Sequence, residues 1–331
     1  MQLIFKLGKN PILSIAEIYS LMQSKNIEFE VIKANNSIFF IDIKSPIYAD
    51  ILIKILGGVI EIFRVEEIID FKEAKKVKPK YKMNIDNQTF AYGTIIAKQD
   101  IKDFEKKEIQ KPYVEGKGGM VPSKLAKIMV NLAVGPNTTS IYDPYCGTGS
   151  ILIEALLQGY SVIGTDINPE VIEGCKKNLN WISKEYGVEN RSELFVNNAS
   201  SLAEQLVREK ETIAISTEPY LGRSWSQPVQ KNVRNAKIIA HVDKLIISSI
   251  RSLSKILKNK ERLVIMIPSF KTKHDIIYLK ARDMEFGNLK KISIIPEDLI
   301  FNDKKIGDIK SFLYYREKAI VRREIFIFEK I

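Results

Sequence analysis

Cysteine and histidine are almost missing from this 331-residue chain, which has only Cys146, Cys175, His241 and His274. The cysteines cannot form a Cys-x-x-Cys pair, and four scattered candidates leave no metal site to assign. So few thiols suit a reducing compartment, and the expected location is the cytoplasm. No apolar run approaches the roughly 20 residues needed to cross a bilayer. The start, Met1-Gln2-Leu3-Ile4-Phe5-Lys6, lacks the apolar core and cleavage site of a signal peptide, so a soluble chain with no membrane partner is expected. Acidic side chains are also in deficit, 40 against 51 Lys plus Arg, for a net charge of +11. That surplus favours a polyanionic partner, because neutralising phosphates releases counterions, although charge alone cannot choose between RNA, DNA and simple solubility. With 45% hydrophobic and 27% charged residues, general disorder and a disulfide-rich miniprotein are both excluded. The length admits one large domain, or a catalytic domain with a smaller companion.

The first 70 residues alternate between two hydrophobic periods. Strands are expected over 2–7, 28–34, 37–43 and 59–65, and helices over about 14–22 and 46–56, the second ending at Gly57-Gly58. Ser14-Ile15-Ala16-Glu17 has the spacing of a capping box. The order β-α-β-β-α-β is the ferredoxin-like arrangement, so residues 1–70 read as a small α+β domain. Residues 71–117 read as a basic linker or an abridged RNA-binding segment. Within it Lys75, Lys76, Lys78 and Lys80 could track phosphates with Tyr81 stacking on a base, or could simply be solvated; a strand is expected near 90–97. From residue 118 to 331 helices alternate with apolar strands at 140–145, 161–167, 193–197, 212–217 and 263–268. This is a doubly wound, Rossmann-like α/β sheet, which binds ligands beyond the carboxyl ends of its strands. Residues 323–329 read as a closing edge strand.

The strongest chemical signal is Asp143-Pro144-Tyr145-Cys146-Gly147-Thr148-Gly149-Ser150, placed between a strand and a helix. Gly147 and Gly149 allow a sharp bend and a close approach by a ligand, and the helix that follows offers free N–H groups. Asp166 lies seventeen residues beyond Gly149, at the end of the next strand, where a carboxylate can accept both ribose hydroxyls of a nucleoside. Alternatively, Asp166 caps the helix that opens near Asn168-Pro169-Glu170. A nicotinamide site would prefer a third glycine, and apolar helix residues stand where it would fall. Cys146 could be a nucleophile, but its place inside a glycine loop suits a small packing residue far better.

The Asp-Pro-Tyr-Cys-Gly-Thr-Gly-Ser pattern resembles the first motif of class I S-adenosylmethionine-dependent methyltransferases that modify exocyclic amines of nucleic-acid bases. The resemblance implies that Asp143, Cys146, Gly147, Thr148 and Gly149 meet the methionine end, Asp166 with Ile167 the ribose side, and Asn198 with Ala199 the adenine. Asn198 stands where an Asp is usual, and its amide oxygen can still accept from the adenine amine. The segment Ile215-Ser216-Thr217-Glu218-Pro219-Tyr220-Leu221-Gly222-Arg223 falls where these enzymes carry Asp/Asn-Pro-Pro-Phe/Tyr. Two registers fit: one puts Glu218 in the Asp place and Tyr220 in that of the second Pro, and the other puts Thr217 in the acid place and keeps Tyr220 as the stacking ring. Glu218 is favoured as acceptor and Tyr220 as base platform, since one loop could present both, with Glu218, Pro219 and Tyr220 as catalytic residues.

Residues 111–132, including Lys111-Pro112, Met120-Val121-Pro122 and Met129-Val130-Asn131-Leu132, are similar to the segment preceding that motif in the tRNA guanine-N2-methyltransferases acting at position 10. This implies that Met120 and Pro122 wall the donor pocket, while Lys111, Lys117 and Arg223 could meet RNA phosphate. In that family a THUMP domain follows the ferredoxin-like start. The roughly forty residues available here are too few for a complete one. The implied activity is methyl transfer from S-adenosylmethionine to guanine N2 in tRNA. The rivals are a DNA adenine-N6 methyltransferase and a non-catalytic RNA-binding protein that keeps the cofactor fold. The reading requires Asp166 to face the glycine bend and Tyr220 to be open to the same pocket.

Overall fold

The computed structural model describes residues 1–44, 48–114, 120–199, 212–223, 225–314 and 316–331. The first unit begins with β1 (Gln2–Leu7), α1 (Pro11–Ser24), β2 (Phe29–Ala34), β3 (Ile38–Ile43), α2 (Ala49–Ile55) and β4 (Val59–Asp70). After α3 (Phe71–Ala74) come β5 (Lys82–Asn84), β6 (Thr89–Lys98) and α4 (Ile101–Ile109). The sheet order is β2-β3-β1-β4-β6-β5 with every pair antiparallel. Its first four strands therefore carry the split β-α-β-β-α-β connectivity.

Residues 82–98 are not a linker. β6 pairs along nearly the whole of β4, from Glu61↔Lys98 to Asp70↔Thr89, and β4 runs five residues beyond the strand expected over 59–65. Alternation on β6 places Ala91, Gly93 and Ala97 inward, which covers the β4 edge that would otherwise expose unpaired backbone groups. The capping-box reading of Ser14 also gives way. Pro11 starts α1 earlier, so Ser14 lies inside the helix with its Oγ donating to the Asn10 carbonyl (2.9 Å). Glu17 is consequently buried, and it accepts from the N–H groups of Gly57 (2.7 Å) and Gly58 (2.8 Å). Part of the helix expected over 46–56 lies outside the described residues.

The second unit contains α5 (Ser123–Ala133), β7 (Ser140–Asp143), α6 (Ser150–Leu157), β8 (Ser161–Asp166), α7 (Pro169–Tyr186), β9 (Ser192–Val196), β10 (Ile213–Thr217), α8 (Val233–Ile256) and β11 (Arg262–Lys271). Short strands follow: β12 (Ile276–Tyr278), β13 (Leu289–Lys291), β14 (Ile300–Phe301), β15 (Lys304–Lys305) and β16 (Ser311–Tyr314), before the long β17 (Val321–Lys330). The main sheet runs β13-β17-β11-β10-β7-β8-β9, parallel from β11 to β9 and antiparallel at β17. Chain order reverses between β7 and β10, the switch point where such sheets hold ligands. β17 is an inner strand rather than the expected edge: β11 lies on one side, and β13 and β16 on the other. Its residues from Arg323 to Phe328 are all buried, which an edge facing water would not tolerate.

Both units share one apolar core, in which Ile15, Ile18 and Met22 of α1 meet Leu125, Ile128 and Met129 of α5. A buried polar seam runs beside it. Asn131 on α5 donates to Glu17 (2.7 Å), and Ser20 donates to the Asn131 carbonyl (2.7 Å). Glu154, fully buried on α6, pairs with Lys107 of α4 (2.8 Å) and Lys127 of α5 (3.5 Å), and Lys107 also meets Asp103 (3.0 Å). Burial alone would depress the Lys107 ammonium, but Glu154 and Asp103 together hold it above the usual lysine range. Burial pushes Glu17 up to about 7 despite its three hydrogen-bond donors.

Candidate functional site

At the carboxyl ends of β7, β8 and β10 lies an open cleft of about 1070 Å³. Such a volume sits at the upper end of small-molecule sites, and it can take two ligands side by side. Its floor is the turn after β7. Gly147 (φ +51°) and Gly149 (φ +86°) adopt the left-handed region, which L side chains rarely enter. A Cβ on Gly149 would stand 2.7 Å from the Cys175 sulfur, so a side chain there would collide with α7. Asn178 secures the loop from beneath, its amide donating to the Thr148 and Tyr113 carbonyls (2.9 Å each).

Asp166 faces this bend. Its Oδ2 accepts from the Gly147 N–H (3.2 Å) and its Oδ1 from the Asn168 N–H (2.9 Å). The helix cap is Asn168, whose Oδ1 accepts from Glu170 N–H (3.0 Å), so the capping alternative for Asp166 falls away. A carboxylate offers about four lone-pair sites, and two remain for hydroxyl donors in the cleft. Beside it Ile167 is 73% exposed and presents an apolar face to the same space. Asn198 and Ala199 close that end beyond β9.

Asp143 is buried at the end of β7, accepting from Thr217 Oγ1 (2.6 Å) and the Tyr145 N–H (3.1 Å). Burial pushes its carboxyl up to about 7. The same contact occupies the Thr217 hydroxyl at the start of the loop after β10. Thr217 is buried and turned toward Asp143, so it cannot serve as the exposed acceptor. Glu218, Pro219 and Tyr220 line the cleft, and Tyr220 is 48% exposed there. Glu218 is not free in the way a simple acceptor would be. Arg323 of β17 grips both its oxygens, Nε on Oε1 and Nη2 on Oε2 (3.2 Å). Burial still raises the Glu218 carboxyl, against the opposing pull of Arg323.

Other expected site residues are distributed unevenly. Met120, Cys146, Gly147 and Thr148 line the cleft, whereas Gly149 sits behind the wall as the first-turn cap of α6. Pro122 is set back at the start of α5, and Val121 lines the cleft with Met120 instead. Contact with Cys175 and burial drive the Cys146 thiol upward, the opposite of what a nucleophile needs. Lys111 is not available to RNA: it is buried beneath the glycine loop, donating to Thr148 Oγ1 (3.0 Å), and burial lowers its ammonium to about 8. An ammonium so enclosed packs the loop and reaches no external phosphate. Lys75, Lys76, Lys78 and Lys80 are exposed on the first unit and do not line the cleft; Lys75 lies over Phe71 and Lys80 over Tyr81. Lys117 lies outside the described residues. Arg223 does line the cleft, its guanidinium 4.2 Å over the Trp225 ring.

Among the cleft residues that escaped the sequence reading are Trp225, Arg316, Glu317, Lys318 and Arg323. Arg323 carried a signal, as a basic residue at the buried start of an otherwise apolar run, Ile325 to Phe328.

Comparison with known proteins bears on this geometry. The RMKL-like methyltransferase domain matches residues 114–287, just over half of the chain, and a DNA methylase family matches residues 30–177. The tRNA (guanine(10)-N2)-dimethyltransferase of Methanothermobacter thermautotrophicus is 39% identical over 115 residues, covering 35% of this chain and 31% of that protein. The protein of the same name from Pyrococcus abyssi is 34% identical over 149 residues, 45% of this chain and 39% of its own. The chain thus aligns with only about a third of the length of these curated relatives. The crystal structure of TrmN from Thermus thermophilus superposes over 100% of this chain and 99% of its own, with a TM-score of 0.53 at 10% identity, a likeness of fold. With the glycine bend, its facing carboxylate and a matched domain spanning both, the chain belongs to the RMKL-like methyltransferase-domain family.

Proposed function

We propose that the protein transfers a methyl group from S-adenosylmethionine to the exocyclic N2 of a guanine in tRNA, acting in the cytoplasm. The single observation that carries this reading is the meeting, in one cleft, of Asp166 at the glycine bend and the open Tyr220 on the Glu-Pro-Tyr loop. The relatives named as tRNA (guanine(10)-N2)-dimethyltransferases support guanine and tRNA as the substrate, and position 10 as the target.

The residues present suit the donor. Two unused lone pairs of Asp166 fit ribose hydroxyls, the exposed Ile167 fits a flat purine, and Asn198 offers an amide oxygen to its amine. S-adenosylmethionine supplies a methyl group made electrophilic by the neighbouring sulfonium.

The protein's own residues do the rest. Tyr220 stacks on the guanine, which must be turned out of its helix to enter. Glu218 and the Pro219 carbonyl accept the two amine hydrogens and so turn the nitrogen lone pair toward the donor. Most of the acceleration is therefore orientation. Once the new N–C bond forms, the nitrogen carries one proton too many, and Glu218 receives it as the nearest carboxylate of the loop. Arg223 and the cleft-mouth cations Arg316 and Lys318 contact phosphate.

A second reading, transfer to an adenine amine in DNA, rests on the DNA methylase match over residues 30–177. Incubation with methyl-labelled donor and either tRNA or duplex DNA, followed by nucleoside analysis, separates the two. Label in N2-methylguanosine is expected. Label only in DNA favours the second reading, and none in any nucleic acid overturns both. Glu218→Ala is expected to abolish transfer while donor binding by calorimetry persists.

A further inference from the structure

Glu218 and Arg323 are 105 residues apart in the chain, yet they form the only ion pair of the cleft among the described residues. Both side chains are nearly withdrawn from water, at 8% and 9% exposure, and both border the cleft. The contact is a fork: Nε and Nη2 of one planar guanidinium each hold a different carboxylate oxygen. That geometry fixes the carboxylate plane, which a single lysine contact could not do.

Two difficulties created by the Glu-Pro-Tyr sequence are met by this fork. A glutamate has one more rotatable bond than the aspartate or asparagine usual at such a loop, so without a restraint its oxygens would sweep the cleft. A carboxyl buried to this degree is also driven toward its neutral form, which donates where an acceptor is required. Arg323 can act as a rigid post because its backbone is locked in the sheet, opposite Pro268 on β11 and Tyr314 on β16. Asp143 on β7 and Tyr314 on β16 act directly on the pair, and Arg316, Glu317 and Lys318 of the turn before β17 line the same cleft. None of these replaces a guanidinium bound to both oxygens.

We infer that Arg323 is the positioning residue of the transfer site, holding the Glu218 carboxylate ionised and in one orientation so that its remaining lone pairs meet the amine. This rests on the proposed amine transfer and adds to it a residue far outside the motif.

The test uses the full chain with Arg323→Gln and Arg323→Lys. Arg323→Gln is expected to lower kcat on tRNA roughly 100-fold, the scale of a misplaced catalytic group, with KM for the donor within about twofold. The acid limb of its kcat profile moves to higher pH, because Glu218 without its cation takes a proton more readily. Arg323→Lys retains most of the limb position and recovers part of kcat. A second measurement needs no turnover: carboxyl carbon NMR of the labelled protein, with the Glu218 signal assigned by its loss in Glu218→Gln. The titration midpoint of that signal is expected to rise in Arg323→Gln. A folded Arg323→Gln whose kinetic limb and carboxyl midpoint both stay at the wild-type positions overturns the inference. If Arg323→Gln fails to fold, Arg323→Lys decides on the same two readouts, where a lost kcat with unmoved positions has the same consequence. If the wild type methylates neither tRNA nor DNA, the proposed function falls, and the carboxyl titration alone upholds or overturns the hold of Arg323 on Glu218.

Discussion

Two places in the molecule bury acids beside bases, and they use them oppositely. At the seam between the units, Glu154 is fully enclosed and meets Lys107 and Lys127, while Glu17 takes two backbone N–H groups and the Asn131 amide. Those groups are met by protein partners alone and are closed to solvent. In the cleft, Asp166 and Glu218 are also held by protein donors, but both line a space large enough for a ligand. The seam spends its electrostatics on holding two units in one arrangement. The cleft leaves some of it for a visitor. The difference lies in access to the outside rather than in residue type.

The seam is the more sensitive of the two places. Lys107→Met removes the closest partner of Glu154 and leaves that charge under-compensated in the core. A loss of about 3–5 kcal/mol in chemical denaturation is expected. Adding Glu154→Gln to the same chain should recover much of it, and no recovery would mean that lysine packing rather than charge dominates.

Next in size is the response to pH. Glu17 and Asp143 are both raised to about 7 by burial, so each favours its protonated form in the folded state. The stabilisation they contribute is present below the ordinary carboxyl range and is lost as pH climbs toward about 7. The loss, complete once both folded-state carboxyls are ionised, amounts to about 3 kcal/mol for Glu17 and about 4 kcal/mol for Asp143. Unfolding measured from pH 4.5 to 8 should show the decline, and Glu17→Gln should remove the seam's share while leaving that of Asp143.

The smallest effect sharpens the cleft side. Asp166→Ala deletes the acceptor facing the glycine bend, and the affinity for S-adenosylmethionine should fall by about 2 kcal/mol, or thirtyfold, in calorimetry. Overall stability should change far less than for Lys107→Met. An unchanged affinity would show that the carboxylate does not hold the donor.

What could be read along the sequence was whatever is local. β7, β8, β10 and β11 announce themselves as short apolar runs because both faces are covered, and the Gly147–Gly149 bend with Asp166 follows from spacing within one β-α-β unit. Non-local facts stayed hidden. The pairing of β6 with β4, the inner position of β17 and the fork of Arg323 depend on neighbours that periodicity does not name. Lys111 misled for a related reason: a lysine among polar residues looks solvated, and only the packed loop shows its ammonium beneath Thr148. Glu17 misled in the same way, its capping spacing overruled when Pro11 started the helix early.

The 105-residue gap closed by the Glu218–Arg323 fork bears on how the molecule comes into being. Ribosomal synthesis delivers the Glu-Pro-Tyr loop well before β17, so a nascent chain carries a motif whose carboxylate has no counter-ion. Sealing that acid away from water is unfavourable until the late strand slots in beside β11. Docking of β17 and completion of the pocket should therefore be one event, and a chain stalled before residue 323 would own the loop without a working acceptor.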